Sequence, residues 1–176
     1  MAAGIAVGGT LFVLIPNRYN IHLKKIEPMK RIHLLLCLLV LAPTAWGQVR
    51  FSEGSTDKIR QLAEQQQKLV FIDLTADWCG YCRWMDSEVY AQPEVGNYMN
   101  AHFVSVRYDV DQPTGGELLK RYGNGGIPLL LIFDRQGELL GRIEGASPAN
   151  ELLANLRKIV QKYQRQSVVD KLRKRE

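Results

Sequence analysis

A buried strand that runs directly into a closely spaced pair of cysteines limits the folds open to this chain of 176 residues. Residues 69–74 form an apolar run that only Asp73 interrupts, which is typical of a strand enclosed by other elements. Cys79 and Cys82 follow in the sequence Cys-Gly-Tyr-Cys, and Met85 continues from Cys82 at helical spacing. The pattern predicts that the two cysteines lie where a strand gives way to the first turn of a helix.

Helical and strand patterns alternate along the rest of the chain. The predicted helices are an N-terminal one at 55–67, then segments around Cys82–Val89, from Pro93, from Thr114 to Gly123 and from Pro148 to Gln164. Predicted strands cover 69–74, 103–110, 128–133 and 138–144, the last two joined by a turn at 134–137. This order predicts an α/β fold with a mixed sheet of about four strands, helices on both faces and an extra N-terminal helix.

Two finer expectations concern helix ends. Thr114 and Glu117 have the spacing of a capping box, which predicts that Thr114 caps the fourth helix. The last helix has an apolar stripe that we expect to be buried, formed by Leu152, Leu156, Ile159 and Tyr163. Residues 165–176 are basic and polar, so we expect a frayed helical tail there.

The N-terminal region is typical of a targeting segment. From Met29, a positive start leads into the apolar stretch 34–42, followed by the small residues Ala45 and Gly47. This is the organisation of a secretory signal peptide over residues 29–47, with cleavage before Gln48. The alternative is an uncleaved membrane anchor, although the stretch is shorter than the roughly 20 residues that a spanning helix needs.

The domain boundaries follow from that segment. Residues 1–28 precede an otherwise complete signal peptide, so we interpret them as a non-native N-terminal extension with Met29 as the initiator. Residues 48–164 form the globular domain, and 165–176 form the basic tail. A chain organised in this way works outside the cytosol, and we expect it in the periplasm.

The charge distribution argues against nucleic-acid binding. Residues 48–156 carry 10 basic and 15 acidic side chains, a net of −5, whereas residues 157–176 carry eight basic and two acidic ones. Phosphate contacts need clustered Lys and Arg, which the body of the domain lacks. We therefore exclude nucleic acid as a partner of the folded domain.

The spacing of the cysteines favours reversible dithiol chemistry. A helix N-terminus stabilises a thiolate at Cys79, and Cys82 lies one turn further along, where it can resolve a mixed disulfide. Two other readings remain open: a disulfide that only staples a short loop, worth about 2 kcal/mol, and a Cu(I) site using the same thiols. The sequence disfavours a structural zinc site. Such a site needs four ligands, and beyond residue 47 the chain offers two thiols and a single imidazole, that of His102.

Asp73 is the second chemically informative residue. Burial in an apolar strand raises the pKa of a carboxyl group, and a partly neutral Asp73 is suited to relay the proton of Cys82. The alternative is a strand-end acid bonded to nearby backbone. Spacing alone does not decide between these two roles.

Three separated motifs resemble the thioredoxin superfamily. Residues 71–82, Phe-Ile-Asp-Leu-Thr-Ala-Asp-Trp-Cys-Gly-Tyr-Cys, resemble its active-site segment, and residues 126–128 are similar to its cis-proline loop. Residues 133–137 and 145–146 are similar to its closing hairpin. Within the superfamily, residues 77–78, 87–90 and 93–95 look most like the C-terminal periplasmic domain of the transmembrane thiol:disulfide interchange reductase.

The resemblance implies a thioredoxin fold over residues 48–164 and a role for each motif residue. Cys79 is the attacking cysteine, Cys82 the resolving one and Asp73 the buried acid, while Arg107 stands where thioredoxins place a lysine. The implied substrate-binding residues are Trp78, Gly80, Tyr81, Ile127 and Pro128. For the aromatic pair we expect Tyr81 at the surface and Trp78 packed. The redox-active disulfide itself serves in place of a cofactor.

The function implied is that of a thiol:disulfide oxidoreductase acting on the disulfides of exported proteins. Ile127 before the proline favours the reductase direction, whereas Gly80-Tyr81 is similar to bacterial disulfide isomerases. The alternatives are therefore a disulfide oxidase or isomerase, or the Cu(I)-handling protein above. The expected partners are exported protein thiols and disulfides and a membrane electron donor, and we expect a monomer.

Overall fold

The computed structural model describes residues 47–174. Within this range the strands are β1 (Phe51–Ser52), β2 (Leu69–Thr75), β3 (Phe103–Asp109), β4 (Leu129–Phe133) and β5 (Leu139–Glu144). The α-helices are α1 (Thr56–Gln65), α2 (Gly80–Met85), α3 (Pro93–His102), α4 (Pro113–Tyr122) and α5 (Ala149–Arg173). A π-helical segment, Asp86–Tyr90, continues directly from α2.

The strands form one mixed sheet in the order β1-β3-β2-β4-β5. β2 is central, parallel to β3 and antiparallel to β4, and β5 closes the sheet as the antiparallel partner of β4. In this register Asp73 lies between Arg107 on β3 and Leu130 on β4. The residue that interrupts the apolar strand is therefore in the middle of the sheet.

Each face of the sheet is covered by helices. Alternate residues of β2 point to opposite faces, so Phe71 packs in one cluster with α3 and α5 while Ile72 packs in another with α1 and α4. Met85 from α2 is buried in the first cluster. The prediction of an α/β mixed sheet with helices on both faces and an N-terminal helix is confirmed.

The strand count differs from the prediction by one. β1 contains only Phe51 and Ser52, which pair in parallel with Ser105 and Val106 on β3. Two residues are too few to show a period-two pattern, so the sequence carries no signal for this strand.

The capping box predicted at Thr114 is wrong. α4 begins at Pro113, a favoured first helical position, and Gln112 precedes it without a side-chain cap. A Cβ added at Gly115 would lie 2.0 Å from the carbonyl oxygen of Asp109. The glycine therefore lets α4 lie against the end of β3.

We expect Gly115→Ala to lower the free energy of unfolding by about 2–4 kcal/mol, because the methyl group overlaps backbone that cannot rotate away. Gly116→Ala is the matched control in the same turn, where an added Cβ would lie 3.0 Å from the nearest atom, the carbonyl oxygen of Val110. Urea unfolding of both variants measures the difference. Equal effects at the two positions would contradict the close approach of α4 to β3.

α5 is longer than the sequence pattern predicts. It runs unbroken from Ala149 to Arg173, so the frayed tail expected after Gln164 is helical as far as Arg173. In the predicted stripe, Leu152 and Leu156 are fully buried, while Ile159 and Tyr163 are partly buried against the same cluster. Two further residues, Leu153 and Val160, complete the buried face.

The chain joins the domain within its first described residues. Val49 donates its backbone N–H to the carbonyl of Tyr90, and the Asn100 side chain bonds both Gln48 and Arg50. The extension predicted at 1–28 and nearly all of the predicted signal peptide at 29–47 lie outside the described residues. Between residues 47 and 174 no helix combines the length and apolar character needed to cross a membrane.

Candidate active site

The two cysteines lie at the start of α2, where the chain leaves the central strand. Cys79 is the N-cap of α2 in extended conformation, and its Sγ accepts the backbone N–H of Cys82 at 3.1 Å. The two sulfurs are joined in a disulfide with an S–S distance of 2.07 Å. A sulfur at this position receives a backbone donor and the positive end of the helix, both of which stabilise a thiolate.

A small apolar cluster surrounds the disulfide. Cys79 and Cys82 are buried with Ala76, and Val110 and Ile127 pack against them. The Ile127–Pro128 peptide bond is cis, and the carbonyl of Pro128 accepts the backbone N–H of Gly145 at 2.9 Å. The loop before β4 is thus brought beside the cysteines and held by the end of the hairpin.

Large aromatic side chains next to the disulfide are open to solvent. Tyr81 is 72% exposed, as predicted, but Trp78 is 65% exposed and the expectation that it is packed is wrong. Its indole Nε1 donates to Oδ2 of Asp111 at 2.8 Å, which holds the ring at the surface. Trp84, which the sequence analysis did not select, adds a third ring at 40% exposure.

Packing does not require the glycine between the cysteines. A Cβ added at Gly80 would meet nothing closer than the Arg83 guanidinium, 3.9 Å away. Packing within the domain therefore does not explain Gly80, and any role it has in the site concerns a molecule that approaches the disulfide from solvent.

Asp73 lies on the sheet face that α2 covers. It is two residues from Phe71 and paired with Leu130, which share a cluster with Met85 of α2. Cys82 is three residues before Met85 and so lies on the same side of the helix. The structure therefore places Asp73 and Cys82 on the same side of the sheet, and the Asp73 carboxyl accepts a hydrogen bond from Arg107.

Burial raises the pKa of Asp73 from 3.8 to about 6, and the Arg107 guanidinium opposes this rise. Arg107 Nε lies 3.2 Å from Oδ2 of Asp73, whereas Oδ1 has no close hydrogen-bond partner among the described residues. The Tyr90 hydroxyl is the other polar group beside the carboxyl. This contact lowers the pKa of Asp73, while burial and the Asp73 charge raise the pKa of Tyr90. The strand-end alternative, an acid bonded to nearby backbone, does not describe this carboxyl group.

Arg107 has further contacts that the sequence analysis did not find. Its Nη2 also pairs with Asp86 at the start of the π-helical segment. Its Cζ lies 4.1 Å from the centre of the Phe51 ring on β1, a cation–π contact. Asp86 and Phe51 are 21 and 56 residues away from Arg107 in the chain, and no local pattern connects such positions.

We expect Arg107→Met to lower the free energy of unfolding at pH 8 by about 2 kcal/mol, because the buried Asp73 carboxylate loses its partner. Loss of the guanidinium raises the pKa of Asp73 beyond its present value of about 6. The added cost therefore appears as the pH rises above about 6, where Asp73 ionises in the unmodified protein but stays protonated in the variant, and it is absent near pH 4, where both proteins carry Asp73 protonated. Unfolding curves at several pH values measure the effect, and Arg142→Met, which breaks the exposed pair with Glu144, is the control. A pH-independent loss would contradict the coupling.

Few other groups are available for binding a metal or cofactor. Over residues 47–174, no three His, Cys, Asp or Glu side chains are grouped so that they could hold a metal ion. The chemistry that the site offers is that of the two thiols and the buried carboxyl group.

Comparison with known proteins agrees with this geometry. Residues 56–159 match the family model of the thioredoxin-like domain. The chain therefore belongs to the thioredoxin-like family, and its cysteine pair places it among the thiol:disulfide oxidoreductases of that family.

Three individual proteins show how far the similarity extends. The chain is 30% identical over 106 residues to the thiol:disulfide interchange protein DsbD of Tatumella citrea, covering 58% of this chain but only 18% of that protein. A putative disulphide-isomerase from Bacteroides thetaiotaomicron is 35% identical, with a TM-score of 0.60 over 65% of this chain and 94% of that one. The oxidised C-terminal domain of Neisseria meningitidis DsbD shares the fold, with a TM-score of 0.53 at 24% identity, over 62% and 98% of the two chains.

Proposed function

We propose that this protein reduces disulfides in exported proteins, by thiol–disulfide exchange through Cys79 and Cys82. The observation that carries the proposal is the position of Cys79, whose Sγ caps α2 and accepts the N–H of Cys82. The similarity of the chain to a protein named as a thiol:disulfide interchange protein also supports the proposal.

The reaction proceeds in two exchange steps. In the reduced protein, the Cys79 thiolate attacks one sulfur of the substrate disulfide, forming a mixed disulfide and releasing the other substrate sulfur as a thiolate. The Cys82 thiolate then attacks Cys79 Sγ, releases the second substrate thiol and forms the Cys79–Cys82 disulfide. Two electrons pass to the substrate, and the oxidised protein is the state that the structure shows.

Asp73 is proposed as the proton acceptor for Cys82. A carboxyl group with a pKa near 6 is suited to exchange a proton at neutral pH. The Arg107 contact is to Oδ2, and the Tyr90 hydroxyl is the other polar group beside the carboxyl. Cys82 attacks only as a thiolate, so removal of its proton limits the second step.

The substrate-binding surface is proposed to surround the disulfide. Trp78 and Tyr81 offer exposed rings beside Cys79, and Ile127 packs against the pair from the loop that contains Pro128. Gly80 has open space around it, which lets a polypeptide approach the Cys79 sulfur closely.

The proposed setting is the periplasm, with a membrane protein as electron donor and no prosthetic group in this chain. The support is the signal-like sequence at 29–47 and the likeness to interchange proteins. The oxidised pair must be reduced after each turnover, and the site has only two thiols, so the two electrons come from a partner. We propose that the protein acts as a monomer.

Client capture tests the function. Cys82→Ser leaves Cys79 able to attack but removes the resolving thiol, so we expect mixed disulfides between Cys79 and exported proteins in living cells. The control is the double variant with Cys79→Ser as well, which should capture nothing. Non-reducing gels followed by mass spectrometry identify the partners. If the single variant captures no more than the double variant, disulfide exchange with exported proteins is excluded.

The compartment has a separate test. We expect the exported protein to begin at Gln48, because the small residues Ala45 and Gly47 stand at the positions that a signal-peptide cleavage site needs. N-terminal sequencing of the protein from the periplasmic fraction measures the cleavage site. Recovery of the uncleaved chain in the membrane fraction would support the anchor instead.

A further inference from the structure

The second half of α5 extends beyond the hydrophobic core. The helix has 25 residues, about 37 Å at 1.5 Å per residue, but its last buried residue is Val160. Past Tyr163 its apolar side chains are between 48% and 59% exposed: Val168, Val169 and Leu172. About half of the surface of each is therefore available to a partner.

These side chains form one continuous outward surface. Val168 and Leu172 are one turn apart on the same face, Val169 is beside them, and Arg165 precedes Val168 by three residues on that face. We call these four residues the C-terminal ridge. Residues on the other side of the helix, including Gln166 and Asp170, line a groove against the β4–β5 hairpin. The ridge therefore points away from the domain.

The ridge lies in a basic part of the described chain. Residues 165–174 carry four basic side chains and a single acidic one, Asp170. That carboxylate accepts a hydrogen bond from Gln166 on the groove side, where Lys171 and Lys174 also lie. The cation of the ridge itself is Arg165, and the exposed Lys158 precedes it by two turns on the same face. Residues 48–156 have a net charge of −5, which concentrates the positive potential of the domain on α5.

We propose that the C-terminal ridge binds the anionic surface of a phospholipid bilayer, with the axis of α5 in the plane of the membrane. Aliphatic side chains flanked by Arg and Lys are suited to the boundary between headgroups and acyl chains, where the cations meet phosphate. A protein partner normally contributes about 800 Å² with a complementary pocket. Three aliphatic side chains on one helix end offer much less, whereas a bilayer needs no pocket.

Bound in this way, the domain keeps its redox site open. β5 ends beside the loop of Pro128, to which Gly145 is hydrogen-bonded, and α5 starts a few residues later. The ridge is at the other end of the helix. Membrane binding and disulfide exchange are therefore separable, and the binding does not depend on the proposed function.

Quenching by brominated lipid tests the contact at the ridge itself. In the full chain, Leu172→Trp places a reporter on the ridge, and Gln166→Trp places the control on the groove side of the same helix. With vesicles of brominated phosphatidylglycerol, and after subtraction of the signal of the unmodified chain, we expect at least threefold stronger quenching at position 172. Quenching reports only on lipid close to the tryptophan, so the comparison of the two positions is valid whether or not the N-terminal segment also binds lipid. Equal quenching at the two positions, or none at either, would overturn the proposal.

Charge variants test the electrostatic part. In the Leu172→Trp chain, Lys158→Gln with Arg165→Gln, which removes two exposed cations seven residues apart on the outward face of α5, should reduce quenching by phosphatidylglycerol vesicles at least fivefold. The matched control is Lys162→Gln with Lys174→Gln, which removes the same charge from residues lining the groove and should change the quenching less than twofold. An equal loss of quenching in both pairs of variants would show that only the net charge of the chain matters, and it would overturn the proposal. Self-association that buries position 172 without lipid would overturn it in favour of a second copy of this chain.

Discussion

Cys79→Ser is expected to lower the rate of disulfide reduction by at least about a thousandfold, because the reaction needs a thiolate where the hydroxyl of serine stays protonated. Cys79 is the residue that caps α2 and receives the N–H of Cys82, so no other group within the described residues is placed to substitute for it. Turnover of a protein disulfide, with a chemical reductant to regenerate the pair, measures the loss.

The third cysteine supplies the control for this experiment. Cys37 lies in the predicted signal peptide, so Cys37→Ser should leave the rate of disulfide reduction within about twofold of the unmodified chain. Full activity in Cys79→Ser would show that Cys82 attacks substrate directly, which contradicts the assignment of the two roles.

Asp73→Asn is expected to make the protein more stable at neutral pH. The rise of the Asp73 pKa from 3.8 to about 6 means that the folded protein binds a proton that the unfolded chain has released. Stability contributed by this group therefore falls as pH increases between about 4 and 6, by about 3 kcal/mol in total. Asparagine does not titrate, so the stability of the variant relative to the unmodified protein should rise by about 2.4 kcal/mol between pH 4 and pH 7.

The comparison between two pH values isolates the ionisation of Asp73 from any change in packing. Urea unfolding at each pH measures it, and Asp77→Asn, at an exposed position four residues further on, is the matched control with an expected change below about 0.5 kcal/mol. An Asp73→Asn effect that is the same at both pH values would mean that the carboxyl group is not held partly neutral by the fold.

Local pattern was sufficient to predict the elements that build the site. The apolar run at 69–74 predicted β2, and Pro93 marked the first residue of α3. The interruption of β2 by Asp73 predicted a buried acid with a raised pKa. These features depend on neighbours in the chain, which is why the sequence alone reports them.

Features that depend on distant residues were missed or wrong. Trp78 is at the surface because Asp111, 33 residues later, holds its indole, and the contacts of Arg107 with Asp86 and Phe51 join three separate elements. The glycine at 115 reflects the close approach of α4 to β3, although the local spacing suggested a capping box. Sequence spacing within one element cannot report contacts between elements.

The reduction potential of the Cys79–Cys82 pair tests the central claim most directly. Residues 48–176, equilibrated against glutathione buffers of known potential, give the value from the fraction of protein in the oxidised form. A reductase of exported proteins should have a potential near that of thioredoxin, about −270 mV. A value between about −180 and −120 mV, the range of disulfide isomerases and oxidases, would contradict the proposed direction of the reaction.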